Sequence, residues 1–109
     1  MPDVVLILTT APAGDAGQAI ARVLVDERLA ACVNVLAPMT SVYRWQGAVE
    51  HETEQQLIIK TTSDRIAAIQ ARIGELHTYD VPEYLVVKVS DGGAAYLEWV
   101  ARETRSTSG

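Results

Sequence analysis

Apolar positions along the chain recur with two different periods, and the switches between them mark the elements. Val4 to Thr10 (VVLILTT) is a continuous apolar, β-branched run bounded by Ala11-Pro12-Ala13-Gly14, the pattern of a strand covered on both faces and closed by a loop. Asp15 then stands three residues before Gln18, a variant of the capping box, and Ile20, Val23 and Leu24 repeat at helical spacing to about Leu29. From Ala31 the chain returns to strand chemistry with CVNVL. Ala37-Pro38 interrupts it, and Thr40 to Trp45 alternates again up to Gln46-Gly47. Glycine supplies the positive φ that a tight hairpin wants, so the chain turns there. Ala48 to Thr62 runs back as the partner arm. It is polar and acidic beside the turn (Glu50, His51, Glu52, Thr53, Glu54) and apolar further on (LIIKTT), so only its second half is expected to be fully buried.

Ser63 fits an N-cap for a second helix whose Ile66, Ile69, Ile73 and Leu76 form one stripe, with Gly74 weakening the last turn. His77 to Pro82 reads as a loop, because the residue before proline avoids helical geometry. Tyr84 to Ser90 alternates as a strand and ends at Asp91-Gly92-Gly93. A closing amphipathic helix is expected from about Ala94 to Thr104, followed by a frayed tail from about residue 105. The order β-α-β-β-α-β plus a terminal helix is the split βαβ arrangement. It predicts an α+β domain with an antiparallel four-stranded sheet, strand order 4-1-3-2, and two helices on one face.

The hairpin is out of proportion to that layer. Arms of about 14 residues would reach roughly 45 Å at ~3.3 Å per residue, whereas helices of about 14 residues span only ~21 Å. The projecting half carries Val42, Tyr43, Trp45 and Val49, and large apolar groups on such a ribbon mark an interface between copies of the chain. The competing possibility is that Pro38 folds the arm back against its own body.

Composition narrows the class. With 109 residues, 49% hydrophobic and 21% charged, one core and one domain suffice. The single cysteine, Cys32, allows no intrachain disulfide, and neither a signal-like N-terminus nor a bilayer-length apolar run is present, so a cytoplasmic address is expected. A net charge of −5 with dispersed basic residues disfavours nucleic acid and leaves no membrane surface to expect. Acidic balance fits attraction of cations and a solvated surface equally well.

Candidate chemistry is sparse. His77 at a helix end is a helix cap or a metal ligand, with capping favoured, because a helix C-terminus prefers the cationic imidazole and a metal the neutral one. Cys32 is a small buried hydrophobe before it is a ligand. Glu50, Glu52 and Glu54 share one strand face with period two and could collect a hard cation, or simply keep an edge solvated. His51 faces the other way as ordinary surface, and Gly92-Gly93 lacks phosphate-loop spacing. A cysteine nucleophile would need a histidine beside Cys32, so no enzymatic reaction is expected.

Taken together, ACVN, the Y-x-W-x-G hairpin, E-x-x-L-I-I-K-T, the V-P-E loop and YLEWVARET resemble the CutA family of divalent-cation tolerance proteins over nearly the whole chain. The resemblance implies a ferredoxin-like βαββαβ subunit with an extended ribbon and an extra C-terminal helix. It implies a homotrimer assembled through the ribbons, with Tyr43 and Trp45 at the interface, and tolerance to copper and other divalent cations without a defined reaction. In some members a cysteine at the end of the first strand and a His-His pair are linked to copper. The matching positions here are Thr9, Leu76 and His77, so one donor of three is retained. A weakly bound divalent metal such as copper, on His77 and Cys32, is the implied ligand, and none is needed for folding. Lys60, Tyr79 and Glu83 also match family motifs. They could orient a small anionic or zwitterionic ligand between subunits, or Lys60 and Glu83 could form a salt bridge. The alternative function is therefore a PII-like signalling trimer that holds a small anionic effector.

Overall fold

Two strands of unequal reach set the shape of the molecule. The computed structural model describes residues 2–105. β1 (Val4–Pro12) lies between β4 (Ala48–Thr62) and the short β5 (Leu85–Lys88), and β4 also carries β2 (Cys32–Val35) and β3 (Met39–Trp45), all antiparallel. With β2 and β3 counted as one interrupted arm, this is the expected 4-1-3-2 order. The tail expected to fray lies, beyond Arg105, outside the described residues. No helix among the described residues is long and apolar enough to cross a membrane.

Helices α1 (Ala16–Asp26) and α2 (Ile66–Leu76) cover one face of the sheet. Val5, Ile7 and Ala11 of β1 and Leu57 and Ile59 of β4 meet Ile20, Leu24, Ile69 and Ile73 there. The continuous apolar run of β1 suggested cover on both faces, but burial alternates along most of it, and Leu6 and Leu8 are only half-buried. The cause is that α3 (Ala94–Glu103) crosses only the Thr62 end of the second face, where the Thr104 and Thr62 hydroxyls lie 3.3 Å apart.

At eleven residues each, both helices are shorter than expected, although α2 spans its whole apolar stripe from Ile66 to Leu76. Arg28 adopts a left-handed φ of 59° and stops α1 before Leu29. Asp15 makes no side-chain cap, so the capping box suggested by Gln18 is not formed. Ser63 opens a 3-10 turn (Ser63–Arg65) instead of capping α2. Eleven residues of helix span roughly 16 Å. Fifteen residues of β4 span about 50 Å, matching the 49 Å long axis of the molecule. The ribbon therefore projects and does not fold back at Pro38. It ends at Gln46-Gly47, whose φ values of +49° and +84° are those of a two-residue hairpin turn.

Pro38 has a different effect. Val35 pairs with Leu57 and Met39 with Glu54, so three residues (36–38) oppose two (55 and 56). This is a one-residue bulge. It reverses the face on which alternate residues of the arm point. Buried Gln55 pins it, donating from Nε2 to the Leu36 carbonyl (2.8 Å) and accepting at Oε1 from the Gly14 amide (3.2 Å). Gln55→Ala strands both backbone partners, and the expected loss is about 1–2 kcal/mol. A denaturant midpoint that falls with unchanged slope is the signature to measure.

The α3 terminus is held by a fork. Arg105 bonds both carboxylate oxygens of Asp64 (2.7 and 2.8 Å), and the Thr62 hydroxyl donates to the same carboxylate at 2.6 Å. The Arg105 bond outweighs the desolvation that opposes it and holds the Asp64 carboxyl down at about 2. Because the folded value lies below the unfolded one, the stabilisation is complete above pH 3.8 and is lost as pH falls through about 2. Both side chains are well exposed, so Asp64→Asn is expected to cost only about 0.5–1 kcal/mol at neutral pH. The gap to the parent protein should close across that acid window in parallel urea titrations.

Candidate functional site

Even-numbered residues of β4 point away from α1 and α2, which places Glu50, Glu52 and Glu54 on the second face of the ribbon. The bulge brings odd-numbered residues of β3 to the same side. Tyr43 stands opposite Glu50, Ser41 opposite Glu52 and Trp45 opposite Ala48. Without the extra residue, Val42 and Arg44 would occupy that face. Against it lies the loop that follows α2, and between ribbon and loop opens a cleft of about 690 Å³.

The loop is tied down at three points. His77 donates from Nε2 to the Thr10 carbonyl, while its Nδ1 accepts the Tyr79 amide at 3.1 Å. That pairing requires the neutral tautomer with the proton on Nε2. Tyr79 packs its ring 4.4 Å from the imidazole and donates its hydroxyl to Glu54 at 3.0 Å. Glu83 accepts from the Gln56 amide at 2.8 Å, and the same amide donates to the Thr9 carbonyl at 2.7 Å.

Among the described residues, five carboxylates line the cleft (Glu50, Glu52, Glu54, Asp80 and Glu83), and no Lys, Arg or His side chain does. Burial, reinforced by the bond to Glu54 and by surrounding negative charge, pushes the Tyr79 phenol up to about 12. The Tyr43 phenol is raised as well, by burial first and then by Glu52 and its neighbours. A phenol is already protonated at neutral pH at its ordinary value of 10.0, and these shifts keep both rings neutral further into the alkaline range beside the cleft's carboxylates.

The residues singled out from the sequence are only partly brought together. Tyr43, Trp45, Tyr79 and Glu83 share the cleft. Lys60 does not: it sits over the Tyr96 ring of α3, 5.8 Å from its centroid, and the anticipated Lys60–Glu83 salt bridge is absent among the described residues. Cys32 pairs with Lys60, whereas Thr10, the partner of His77, pairs with Gln56. Four residues of β4, roughly 13 Å, separate these two positions. With both His77 nitrogens engaged and Cys32 remote, the two proposed metal donors do not converge within one chain. Thr9 points into the helical side, fully buried, with its hydroxyl unpartnered. Among the described residues no group of three His, Cys, Asp or Glu side chains is placed to hold an ion. Gln56, which clamps Glu83 to β1, carried no sequence signal, since an isolated glutamine in a strand has no pattern.

Relatives match this arrangement from end to end. The family model described as CutA1 divalent ion tolerance protein matches residues 5–103. The chain belongs to the CutA1 family. The divalent-cation tolerance protein CutA of Thermus thermophilus is 42% identical over 104 residues, covering 95% of this chain and 99% of the relative. The crystal structure of CutA from Xylella fastidiosa is 46% identical, covers 94% of this chain and 99% of its own, and superposes with a TM-score of 0.91. The chloroplastic CutA of Arabidopsis thaliana is 37% identical over 102 residues, 94% of this chain, but the match spans only 56% of that protein's length. For this CutA1 chain, a soft copper centre on His77 and Cys32 does not fit the donors of one subunit. The donors that do face solvent together are carboxylate oxygens, which suit hard, hydrated cations.

Proposed function

We propose that the chain is a divalent-cation response protein, acting as a homotrimer, whose acidic cleft takes up cations weakly. One observation carries the reading: the cleft is lined by five carboxylates and by no basic side chain. Crowded carboxylates repel one another, and a cation relieves that repulsion. Successive carboxylates along β4 lie roughly 6.6 Å apart at their backbones, too far for several to enter one inner coordination shell. Binding is therefore expected to be weak, about 10⁻⁴–10⁻³ M, with the ion keeping most of its water. The family's link to divalent-cation tolerance supports the same class of ligand.

Calorimetric titration with Mg²⁺, Mn²⁺ and Cu²⁺ tests this on the parent protein, Glu52→Gln and His77→Ala. Loss of heat in Glu52→Gln for all three ions is the expected outcome; unchanged titrations in that variant would remove the cleft from the account. A small anionic effector, the PII-like alternative, finds no cationic partner in this cleft. It would require Lys60 to face a ligand supplied from elsewhere in the trimer, and ligand-induced thermal stabilisation lost in Lys60→Ala would establish it.

A further inference from the structure

The connection from β5 to α3 carries the one aspartate that precedes a glycine. Asp91 is followed by Gly92, whereas Asp3, Asp15, Asp26, Asp64 and Asp80 are each followed by a residue with a side chain. Residues 89–93 belong to neither helix nor strand, and Asp91, Gly92 and Gly93 are exposed. The Gly92 amide donates to Oδ1 of Asp91 at 2.8 Å. That bond aims the backbone N–H of one residue at the side-chain carboxyl of the residue before it, the approach from which a five-membered ring closes. Glycine leaves the nitrogen unhindered, because no Cβ stands beside it. Reacting atoms held this close in an intramolecular step react far faster than free ones.

Packing keeps the dipeptide in place. A Cβ at Gly92 would lie 3.1 Å from Cδ2 and 3.4 Å from Cγ of Leu97, so α3 closes over its own entry only with glycine there. Other aspartates lack this combination. The Asp64 carboxylate is held by Arg105 and Thr62, and Asp80 precedes β-branched Val81, which crowds the nitrogen that would attack.

We infer that Asp91-Gly92 is a site of spontaneous backbone isomerisation in the folded protein, ending in an isoaspartyl linkage at the entry to α3. The Gly92 nitrogen attacks Cγ of the protonated Asp91 carboxyl. The N–Cγ bond forms, the nitrogen gives up its proton, and the carboxyl hydroxyl leaves with it as water, which closes a succinimide. Water then adds to one of the two ring carbonyls. Cleavage of the N–Cγ bond restores Asp91, whereas cleavage of the bond from nitrogen to the α-carbonyl leaves the chain running through Cβ and Cγ with the carboxylate on Cα. One water leaves and one returns, so the mass is unchanged and nothing is oxidised or reduced. The product lengthens the main chain by a methylene beneath Leu97. Nothing in this chemistry depends on cation binding in the cleft.

Ageing the intact protein for several weeks at physiological temperature and near-neutral pH tests it. An isoaspartyl carboxyl methyltransferase with labelled S-adenosylmethionine marks the product, and the tryptic peptide 89–102, whose only aspartate is Asp91, locates it. Label should accumulate in that peptide at least as fast in the folded protein as in the same peptide synthesised free. Asp91→Asn, which expels ammonia in place of water, should react at least tenfold faster. Asp91→Glu keeps the charge but would have to close a six-membered ring, and should leave the peptide unlabelled. Slower labelling in the folded protein than in the free peptide would mean that the fold protects the dipeptide, and the assignment falls. It falls equally if label gathers elsewhere while 89–102 stays blank, or if Asp91→Asn reacts no faster than the parent. Both substitutions lie on an exposed loop outside the core, so neither result depends on a loss of folding.

Discussion

Leu57→Ala is expected to lower the unfolding free energy by about 3 kcal/mol. Leu57 is fully buried on the helical face of β4, paired with Thr9 on one side and Val35 on the other. Its Cδ1 lies 3.2 Å from where a side chain at Gly17 would begin, so α1 rests directly on it. Truncation removes the transfer free energy of the lost methyl groups and leaves a cavity that two strands and a helix cannot close together. Urea unfolding at fixed protein concentration measures the loss, because assembly shifts apparent stability by mass action. A cost below about 1 kcal/mol would mean that α1 settles into the space, and that the close approach at Gly17 does not fix the position of the helix.

The same residue shows what was legible beforehand. LIIKTT reads as a fully buried half-arm, but burial alternates along it: Leu57, Ile59 and Thr61 are buried on the helical face, whereas Ile58 and Lys60, on the other face, are only half-buried. Topology followed from element order, and the reach of the ribbon followed from counting residues. Cap chemistry was the least reliable guide. Asp15 and Ser63 are good cap residues in isolation, yet neither side chain caps its helix, because helix packing and the 3-10 turn set the local backbone first.

The cleft was half-visible. Glu50, Glu52 and Glu54 declared their shared face by spacing alone. That Tyr43 and Trp45 join them was hidden, since it depends on a bulge that shifts the register by one residue, and a linear reading sees only a proline. Within one chain Lys60 stays apart from Tyr79 and Glu83 for a related reason. Along β4 it lies on the correct face, but six residues from Glu54 and under a helix whose docking no periodicity announces. His77 was weighed as cap or ligand and is neither alone. Its backbone closes α2 on the Ile73 carbonyl, while its ring ties the loop to β1.

Val42→Glu combined with Val49→Glu is expected to reduce the proposed homotrimer to folded monomers. These two side chains lie on the ribbon face opposite the cleft, 70% and 64% exposed, the first opposite His51 and the second opposite Arg44. The helices end well short of them, so no described element of the same subunit covers them. Burying one such side chain contributes roughly 1.5–2 kcal/mol, and in a cyclic trimer every ribbon contributes equally, so the loss is felt at each interface. Placing a carboxylate at each position turns that gain into a desolvation cost without touching the core beneath α1 and α2. Light scattering across a dilution series should show the parent protein at three times the chain mass and the variant at one, with unchanged far-ultraviolet circular dichroism. A variant that keeps the parent's mass would leave the interface on the Tyr43 and Trp45 side, where the resemblance to the family implies it. The neighbouring chain would then occupy the cleft, and a metal ion could enter it only by displacing that chain.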